Sequence, residues 1–546
     1  MTSRYLSPIG VDTGVCSISA PCLTVGYINT NCVAGDTVSM AAGDYVAPAS
    51  PGYFSLTKHF LWSSNSDAVW KPDAAGNSFV MRISGSAPTG TSTWTSVVFD
   101  AAGHAAQATE IGDGAANIYT VSMTDTLCKD FTNRGVNLFV KSGTYTFTRC
   151  RFVSAVLGAA TSGGIINGNL NAGVNAANFS MTVDSPYFEL TASASVVLYG
   201  VYLARDAVPL GTVSVSVTAP YGTINTHSSN TGRGVYLLGV DSATVTGDGG
   251  KTLTINSSYT GNESMGILIV GRSATVTAND AQVVGNGQII NFFAPSGHGI
   301  QLGVSGGSNY MTGGVVSGWR VYCKYYAAST PHGITLGEGT NVLSTGNEVH
   351  NAYAGLLMSK TASGTVRQNE RAFNCYGSAF YTKGATDGKW LGCSAYFDGS
   401  LTQRNLATIH VDSQAGVNTA AVTYDGCLVV LGTDNASLYT KLLGVKSNCS
   451  ATFTNCTFII PDSIASNVAL FEIGCTSEGA LGGGTTYTAA QWETGTTGSV
   501  TAANGTGTIS VSNNKVLKMP LAVCRQIING AGSQNIPSAP NAVRVS

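Results

Sequence analysis

The chain has 546 residues, of which 10% are charged and 43% hydrophobic, and its formal net charge is -2. It is too apolar for a disordered chain, and it has far fewer charges than the roughly 25% of an average globular domain. No lysine or arginine cluster exceeds two residues, and no apolar run approaches the ~18 residues of a membrane-spanning helix, so neither nucleic-acid binding nor membrane insertion is expected.

The first 33 residues precede the first clear strand pattern. They lack a basic stretch followed by an apolar one, so we expect no standard secretory signal. Cys16, Cys22 and Cys32 lie close enough in sequence for one disulfide, and the sequence does not decide which two cysteines form it.

Residues 34–46 read AGDTVSMAAGDYV, a short alternating run between two Gly-Asp turns. Alternation with a period of two places successive side chains on opposite faces of a strand. We therefore predict that Val38 and Met40 face a core, on the first inward-facing strand of the fold, and that Asp36 and Asp44 form turns.

A strand motif, made of a glycine and two apolar residues that bracket a variable one, recurs at intervals of 22 to 34 residues. Further short strands lie between its copies, separated by Gly, Asn, Asp or Ser turns. Strands this short cannot each close a core, but stacked coils bury one continuous apolar column. We predict a parallel β-solenoid, with an array of β-sandwiches as the alternative. The copies are GVYLA from Gly200, GVYLL from Gly234, GILIV from Gly266, GIQLG from Gly299, GITLG from Gly333 and GLLMS from Gly355.

Four cysteines share one local context, with an aromatic residue three positions before each of them. A buried thiol that acts as a small hydrophobic group fits such a repeated position. No CxxC or Cys/His spacing supports a metal site, so we expect neither a metal nor a cofactor. The four are Cys150, Cys393, Cys427 and Cys456.

The repeated strand, the asparagines in turns and the FxxCxF context resemble the right-handed parallel β-helix of the pectin-lyase-like superfamily, over about residues 30–475. The run GDTVSMAAGDYV is similar to the segment with which many members open their first coil. The resemblance implies an all-β fold, with a cap or attachment segment at 1–33, the right-handed parallel β-helix at 34–480, and a β-rich capping or trimerisation module at 481–546. Members often cap the column with a helix. Residues 23–33 make a poor helix, so we expect an irregular cap or one supplied by another chain.

Two glutamates form the best catalytic candidate, because glycoside cleavage needs two carboxyl groups roughly 5 to 9.5 Å apart. Aligning Gly355 with Gly377 places Glu348 over Glu370 on neighbouring coils, about 4.8 Å apart at strand spacing. His350 is expected to face outward beside Glu348. Crowded like charges would raise the pKa of one carboxyl group, as a general acid requires. The alternative is a set of solvated outer-face residues paired with arginine.

Aromatic residues offer a candidate binding surface, since the chain has 23 tyrosines and 6 tryptophans. Aromatic faces stack on sugar rings, so Trp319, Tyr322, Tyr325 and Tyr326 form a candidate glycan platform. Such residues equally fill coil corners or a subunit interface.

The family that the chain resembles includes lyases, hydrolases, epimerases, adhesins and phage tailspikes, so the resemblance specifies fold better than activity. We expect a phage tailspike-like virion protein that binds a bacterial surface polysaccharide, with cleavage by a hydrolase or lyase activity left open. It is expected to be a homotrimer in the extracellular virion tail, joined to other tail or baseplate proteins through its N-terminus. Two alternatives stay open: a non-catalytic structural or adhesive virion β-helix, and a secreted polysaccharide lyase or glycosidase.

Overall fold

The computed structural model divides the chain into two compact units, Met1–Asn279 and Asp280–Ser546. No helix in the described part of the chain is long and apolar enough to cross a membrane. The structure describes residues 2–74, 76–84, 90–112, 118–159, 161–170, 178–205, 211–260, 263–271, 277–303, 311–324, 330–360, 364–403, 406–413, 420–439, 441–476, 481–493, 500–501 and 508–532.

Each unit is a right-handed parallel β-helix, which confirms the predicted fold class. A coil contributes three strands, and strands of successive coils pair in parallel to form three ladders. In one coil of the first unit, β12 (Gly143–Thr148) lies in ladder 1, β13 (Arg151–Leu157) in ladder 2 and β14 (Thr161–Leu170) in ladder 3. Ladders 1 and 2 share one sheet, and ladder 3 forms a second sheet.

Most strands are short, as the repeat predicts. From the N-terminus to residue 270 the elements are β1 (Ser3–Leu6), α1 (Val25–Asn31), β2 (Thr37–Met40), β3 (Gly43–Val46), β4 (Phe54–Leu56), β5 (Leu61–Lys71), β6 (Asn77–Ile83), β7 (Thr91–Asp100), β8 (Ala105–Ile111), β9 (Tyr119–Thr124), β10 (Leu127–Lys129), β11 (Arg134–Leu138), β12, β13, β14, β15 (Phe179–Asp184), β16 (Tyr187–Ala192), β17 (Val197–Arg205), β18 (Val213–Thr218), β19 (Tyr221–Asn225), β20 (Gly232–Leu238), β21 (Ser242–Thr246), β22 (Thr252–Asn256) and β23 (Ser264–Val270).

From residue 278 onward the elements are β24 (Ala278–Val284), β25 (Ile289–Phe293), β26 (Ser296–Leu302), β27 (Met311–Thr312), β28 (Val315–Ser317), β29 (Arg320–Cys323), β30 (Thr330–Leu336), β31 (Leu343–Thr345), β32 (Glu348–His350), β33 (Ala354–Ser359), β34 (Val366–Gln368), β35 (Arg371–Phe373), β36 (Ser378–Lys383), β37 (Thr386–Leu391), β38 (Ser394–Phe397), β39 (Ala407–Asp412), β40 (Ala421–Asp425), β41 (Leu428–Leu431), β42 (Lys441–Lys446), β43 (Ser450–Thr454), β44 (Thr457–Pro461), β45 (Ala469–Cys475), β46 (Thr485–Thr488), α2 (Ala489–Glu493), β47 (Val500–Thr501), β48 (Thr508–Ser512), β49 (Lys515–Met519) and α3 (Leu521–Ala531).

Local sequence decides both the strands and the bends between them. In β12, Tyr145 and Phe147 are buried while the threonines between and beside them point outward. The bend between ladder 1 and ladder 2 uses one residue in the left-handed region, with φ of 51° at Asp125, Arg149 and Ser185. Such a residue turns the chain sharply within a single position, which closes the coil without a long loop.

The repeated cysteine context is a core position, as predicted. All four cysteines are buried, and the thiol of Cys427 lies 3.5 Å from the carbonyl oxygen of Trp390. The aromatic residues three positions earlier stack along the column, with ring centroids 5.6 Å apart for Trp390 and Tyr424 and 4.9 Å for Tyr424 and Phe453. Burial raises the pKa of Cys393 to about 12, so this thiol stays protonated and apolar in character.

The column begins earlier than predicted. Val38 and Met40 are buried, which confirms their predicted orientation, but β1 pairs in parallel with β2 and is the first strand. Asp36 does more than form a turn, because its carboxylate accepts from Arg4 Nε at 2.7 Å. Burial works to raise its pKa, but the hydrogen bond from Arg4 and other donors leaves it lowered. Asp44 lies within β3 rather than in a turn.

A short regular helix occupies part of the N-terminal cap, so the expectation of an irregular cap within 23–33 is wrong. The side chain of Thr24 accepts a hydrogen bond from the backbone N–H of Tyr27, and this N-cap offsets the poor helix propensity of the segment. The disulfide joins Cys16 and Cys22, and the free Cys32 thiol lies 3.9 Å from the sulfur of Cys16.

The ladders continue past residue 480, because β48 and β49 pair in parallel with β43 and β44. The helix α3 then covers the outer side of ladder 2 in the second unit. No helix is predicted here from the sequence. It forms because Leu521, Cys524 and Ile528 share one face, and Cys524 and Ile528 are buried by it.

Candidate functional site

The predicted pair of stacked glutamates does not form, because the two neighbouring coils pair in a register that differs from the predicted one. Gly355 is matched by Ala379 and not by Gly377. Glu348 lies opposite Arg371, one residue beyond Glu370. A slip of one residue moves a side chain to the other face of a strand, so the second glutamate of the predicted pair faces the interior of the coil.

Glu370 belongs to a buried polar cluster inside the column. It is fully buried, and its carboxylate accepts from Asn347 Nδ2 at 2.6 Å and from an Arg367 guanidinium nitrogen at 2.8 Å. Ser344 also donates to it. Arg367 is itself fully buried and donates to two backbone carbonyl groups. These contacts give Glu370 a structural role and leave it no path to a ligand in this conformation.

Glu348 and His350 do face outward together, as predicted, but both are shielded from solvent. His350 Nε2 lies 2.7 Å from Glu348 Oε1, and an Arg371 nitrogen lies 2.7 Å from Oε2. Burial alone would raise the pKa of Glu348, but the hydrogen bond from His350 and the charges of His350, Arg371 and Arg320 leave that pKa lowered. The predicted raised pKa of a general acid is therefore absent at Glu348, because its neighbours are cationic rather than acidic.

A column of stacked rings runs past His350 on the outer face of ladder 2. Ring centroids are 4.5 Å apart for Tyr322 and His350, 4.6 Å for His350 and Phe373, and 4.8 Å for Phe373 and Tyr396. The interplanar angles are 15°, 7° and 15°. The helix α3 packs on Phe373 and Tyr396, and of the four rings Tyr322 is partly exposed while the others are buried.

The predicted aromatic platform between residues 319 and 326 is not assembled as one surface. Trp319 is 1% exposed, and its indole nitrogen donates to the backbone oxygen of Val283, so it is a core residue that presents no ring face to a ligand. Tyr322 is partly exposed and belongs to the stacked column. Tyr325 and Tyr326 lie outside the described residues.

A second cluster of tyrosines, not predicted from the sequence, occupies the outer face of ladder 3 in the first unit. Tyr202 and Tyr236 are in-register neighbours on β17 and β20, and Tyr199 packs 4.4 Å from Tyr202 between ring centroids. The guanidinium of Arg233 lies 4.4 Å from the Tyr236 ring centroid and donates to the Tyr199 hydroxyl at 2.9 Å. Tyr199 is buried, whereas the other three are partly exposed. We call these four residues the tyrosine face.

Polar groups on preceding coils extend the tyrosine face along ladder 3. Arg134 donates to the Asn137 side chain at 2.7 Å, and Asn137 donates to Glu110 at 2.8 Å. Arg82 lies 3.1 Å from the same carboxylate. Burial lowers the pKa of Arg134. The surface therefore combines aromatic rings with guanidinium, amide and carboxylate groups, which are the groups that bind polar ring-shaped ligands.

The repeat itself contains the signal for this surface. The variable residue of each Gly-apolar-x-apolar copy points out of ladder 3, and in GVYLA and GVYLL it is Tyr202 and Tyr236. Reading the variable residues of successive copies as one column would have found the tyrosine face.

No protein-family model matches the chain, and no curated protein matches it. Among solved structures, the chain is similar to the A-module of a mannuronan C-5 epimerase from Azotobacter vinelandii, at 10% identity and a TM-score of 0.23, over 89% of this chain and 91% of that one. It is also similar to a GH136 lacto-N-biosidase from Eubacterium ramulus, at 8% identity and a TM-score of 0.28, over 95% and 68%. A third is the Dettilon tailspike protein, at 12% identity and a TM-score of 0.26, over 86% and 70%.

Proposed function

We propose that this protein is a tailspike-like virion protein that binds a bacterial surface polysaccharide with the tyrosine face of its first unit. The observation that supports the proposal is the arrangement of two partly exposed tyrosines and a guanidinium on adjacent coils. Tyr202 and Tyr236 are positioned for stacking on sugar rings, and Arg233 for hydrogen bonds to hydroxyl or acidic groups.

The geometry favours binding over cleavage. Catalysis by Glu348, Glu370 and His350 stays a prediction. Glu370 is enclosed by Arg367 and Asn347, and the lowered pKa of Glu348 suits a charged group rather than an acid. Two outward carboxyl groups at the separation that glycoside cleavage requires are not present at this place among the described residues.

Binding by the tyrosine face is tested with Tyr236→Ala and Arg233→Gln in the full chain. We expect each variant to bind capsular or O-antigen polysaccharide about tenfold more weakly, because losing one aromatic or charged contact costs ~1.4 kcal/mol. Immobilised polysaccharides of several chemistries and biolayer interferometry provide the measurement.

Tyr221→Ala is the matched control, because Tyr221 is a partly exposed tyrosine of the same unit that packs against Tyr187 in ladder 2. It should bind like the unchanged protein. Equal losses in the Tyr221 and Tyr236 variants, or no binding of any polysaccharide by the unchanged protein, would contradict the proposal.

A further inference from the structure

The outer face of ladder 1 in the first unit is a regular array of hydroxyl groups. Outward positions on β2, β5, β7, β9, β12, β15, β18 and β21 form three in-register columns, in which every position but two is Ser or Thr; on the preceding strand β1, Tyr5 lies in register with Ser39. The exceptions are Leu61 and Asp184. The columns are Thr91, Thr120, Thr144, Ser180, Ser214 and Ser242; Thr37, Leu61, Thr93, Ser122, Thr146, Thr182, Ser216 and Thr244; and Ser39, Ser63, Thr95, Thr124, Thr148, Asp184, Thr218 and Thr246. We call this set the hydroxyl array.

Strand propensity alone does not explain the hydroxyl array. Threonine is favoured on any exposed strand, yet ladder 2 of the same unit carries Lys129, Arg151, Tyr187 and Glu189 at its outward positions. The two ladders belong to the same coils, and the outward positions named in both are partly or fully exposed. The restriction to hydroxyl groups is therefore a property of one face.

The hydroxyl groups are available to a ligand. Within the described residues, no hydroxyl oxygen of the array makes a side-chain hydrogen bond to the protein, whereas the Asp184 carboxylate accepts one from Ser185 at 3.0 Å. All the array residues are partly or fully exposed. The pairings of β9, β12, β15, β18 and β21 show no register shift, so the spacing is constant across these coils.

The regular spacing favours a ligand that is itself periodic. Neighbouring strands lie about 4.8 Å apart, and outward residues along a strand repeat every ~6.6 Å. The array thus presents hydroxyl groups on a rectangular lattice with both a short and a longer repeat. Ice is a solid in which hydrogen-bonding oxygens repeat in rows with spacings of this order, and each oxygen can donate or accept, as a hydroxyl group can.

Other occupants fit the array less well. Cores of protein interfaces are rich in aromatic residues, Met and Arg, and the array has none of these. Sugar-binding surfaces use aromatic stacking and charged or amide groups, which lie on the tyrosine face instead. A surface of hydroxyl groups and threonine methyl groups, with one carboxylate at Asp184, is suited to ordering a layer of water.

We propose that the hydroxyl array binds ice through such an ordered water layer. The test is the partition of the full-length protein into slowly growing ice, together with the inhibition of ice recrystallisation. We expect the unchanged protein to be enriched in ice relative to the remaining liquid. Thr146→Lys, and independently Ser216→Lys, should abolish the enrichment, because a long charged side chain in the middle column interrupts the lattice.

The control is Thr223→Lys, at an outward position of ladder 2 in the same unit. It should partition like the unchanged protein, and circular dichroism should show that all variants fold. Exclusion of the unchanged protein from ice, or equal losses in the Thr146 and Thr223 variants, would overturn the proposal. A fall in particle mass on Thr146→Lys without any ice partition would overturn it too, and would assign the face to contact between copies.

Discussion

At the scale of single residues, His410 is a fully buried imidazole on β39. Neither of its ring nitrogens makes a hydrogen bond within the described part of the chain. It lies 3.9 Å from an Asp412 oxygen and packs edge-on against Tyr381, with ring centroids 5.5 Å apart. Burial, and secondarily the charge of Lys446, lowers its pKa from 6.5 to about 3. The neutral form is therefore the one that the fold accommodates.

This histidine should make stability depend on pH. An unfolded chain binds a proton at His410 below pH 6.5, while the folded chain resists protonation down to about pH 3. The contribution of neutral His410 to the free energy of unfolding is thus fully present above pH 6.5, and it is lost as the pH drops through the window from 6.5 to 3. Urea unfolding of the unchanged protein and of His410→Phe at pH 7 and pH 4 measures the effect. The variant should lose less stability between the two pH values.

Other groups also titrate in that window. The informative quantity is therefore the difference between the unchanged protein and His410→Phe in the stability lost from pH 7 to pH 4. Asp412 lies beside His410 and is itself 3.6 Å from Lys446. Parallel loss of stability in the unchanged protein and in His410→Phe would assign the pH dependence to these or other carboxylates and would exclude His410 as its source.

At the scale of elements, α3 protects the outer side of ladder 2. Its Ile528 packs with Phe373, Tyr396 and Val430, and the backbone oxygen of Ala531 accepts from Arg371 at 2.7 Å. Burial of one apolar stripe supplies most of the stability of such a short helix. The strands beneath it would otherwise expose aromatic rings.

Ile528→Ala should loosen α3 without unfolding the column. Truncating a buried isoleucine costs ~2 kcal/mol or more, which is roughly a 30-fold change in a local opening equilibrium. Hydrogen exchange of residues 521–531 should accelerate accordingly, while exchange in β43 and β44 stays slow. Val523→Ala is the control, because Val523 is 38% exposed. Comparable acceleration in both variants would contradict the role given to Ile528.

Elements differ in how well local sequence predicts them. The glycine-containing strands of ladder 3 were predictable, because the alternation and the turn residues lie within one coil. The helices were harder to predict from local sequence, because α1 depends on the cap at Thr24 and α3 depends on an apolar stripe of only a few residues. The cap of α1 is a local interaction, whereas α3 depends on packing against Phe373, Tyr396 and Val430, which lie far from it in sequence.

At the scale of the whole molecule, we propose a homotrimer, the state expected of a tailspike-like virion protein. The chain has a mass of 56.0 kDa. Light scattering on the full chain should give a mass near three times that value, and the assembly should resist dissociation by SDS. A monodisperse monomer across a wide range of concentrations would contradict the proposal and favour a secreted enzyme or a monomeric adhesin.

The sequence by itself determined the coil. Alternating apolar residues, Gly and Asn turns and the repeated cysteine context act over a few residues, so they specified three short strands per coil and the buried position of Cys150, Cys393, Cys427 and Cys456. They also specified that Val38 and Met40 face inward. These features can be predicted without knowing which residues lie on the next coil.

Only the tertiary structure decided which outward residues become neighbours. Coils differ in length, so the register between them depends on how every bend closes, and an error of one residue reverses the face. Glu348 therefore lies opposite Arg371 rather than over Glu370, whereas Tyr202 and Tyr236 lie side by side at the same position of two successive repeats, as the repeat alone implies. Sites on this protein are properties of columns across coils, and a column exists only once the coils are stacked.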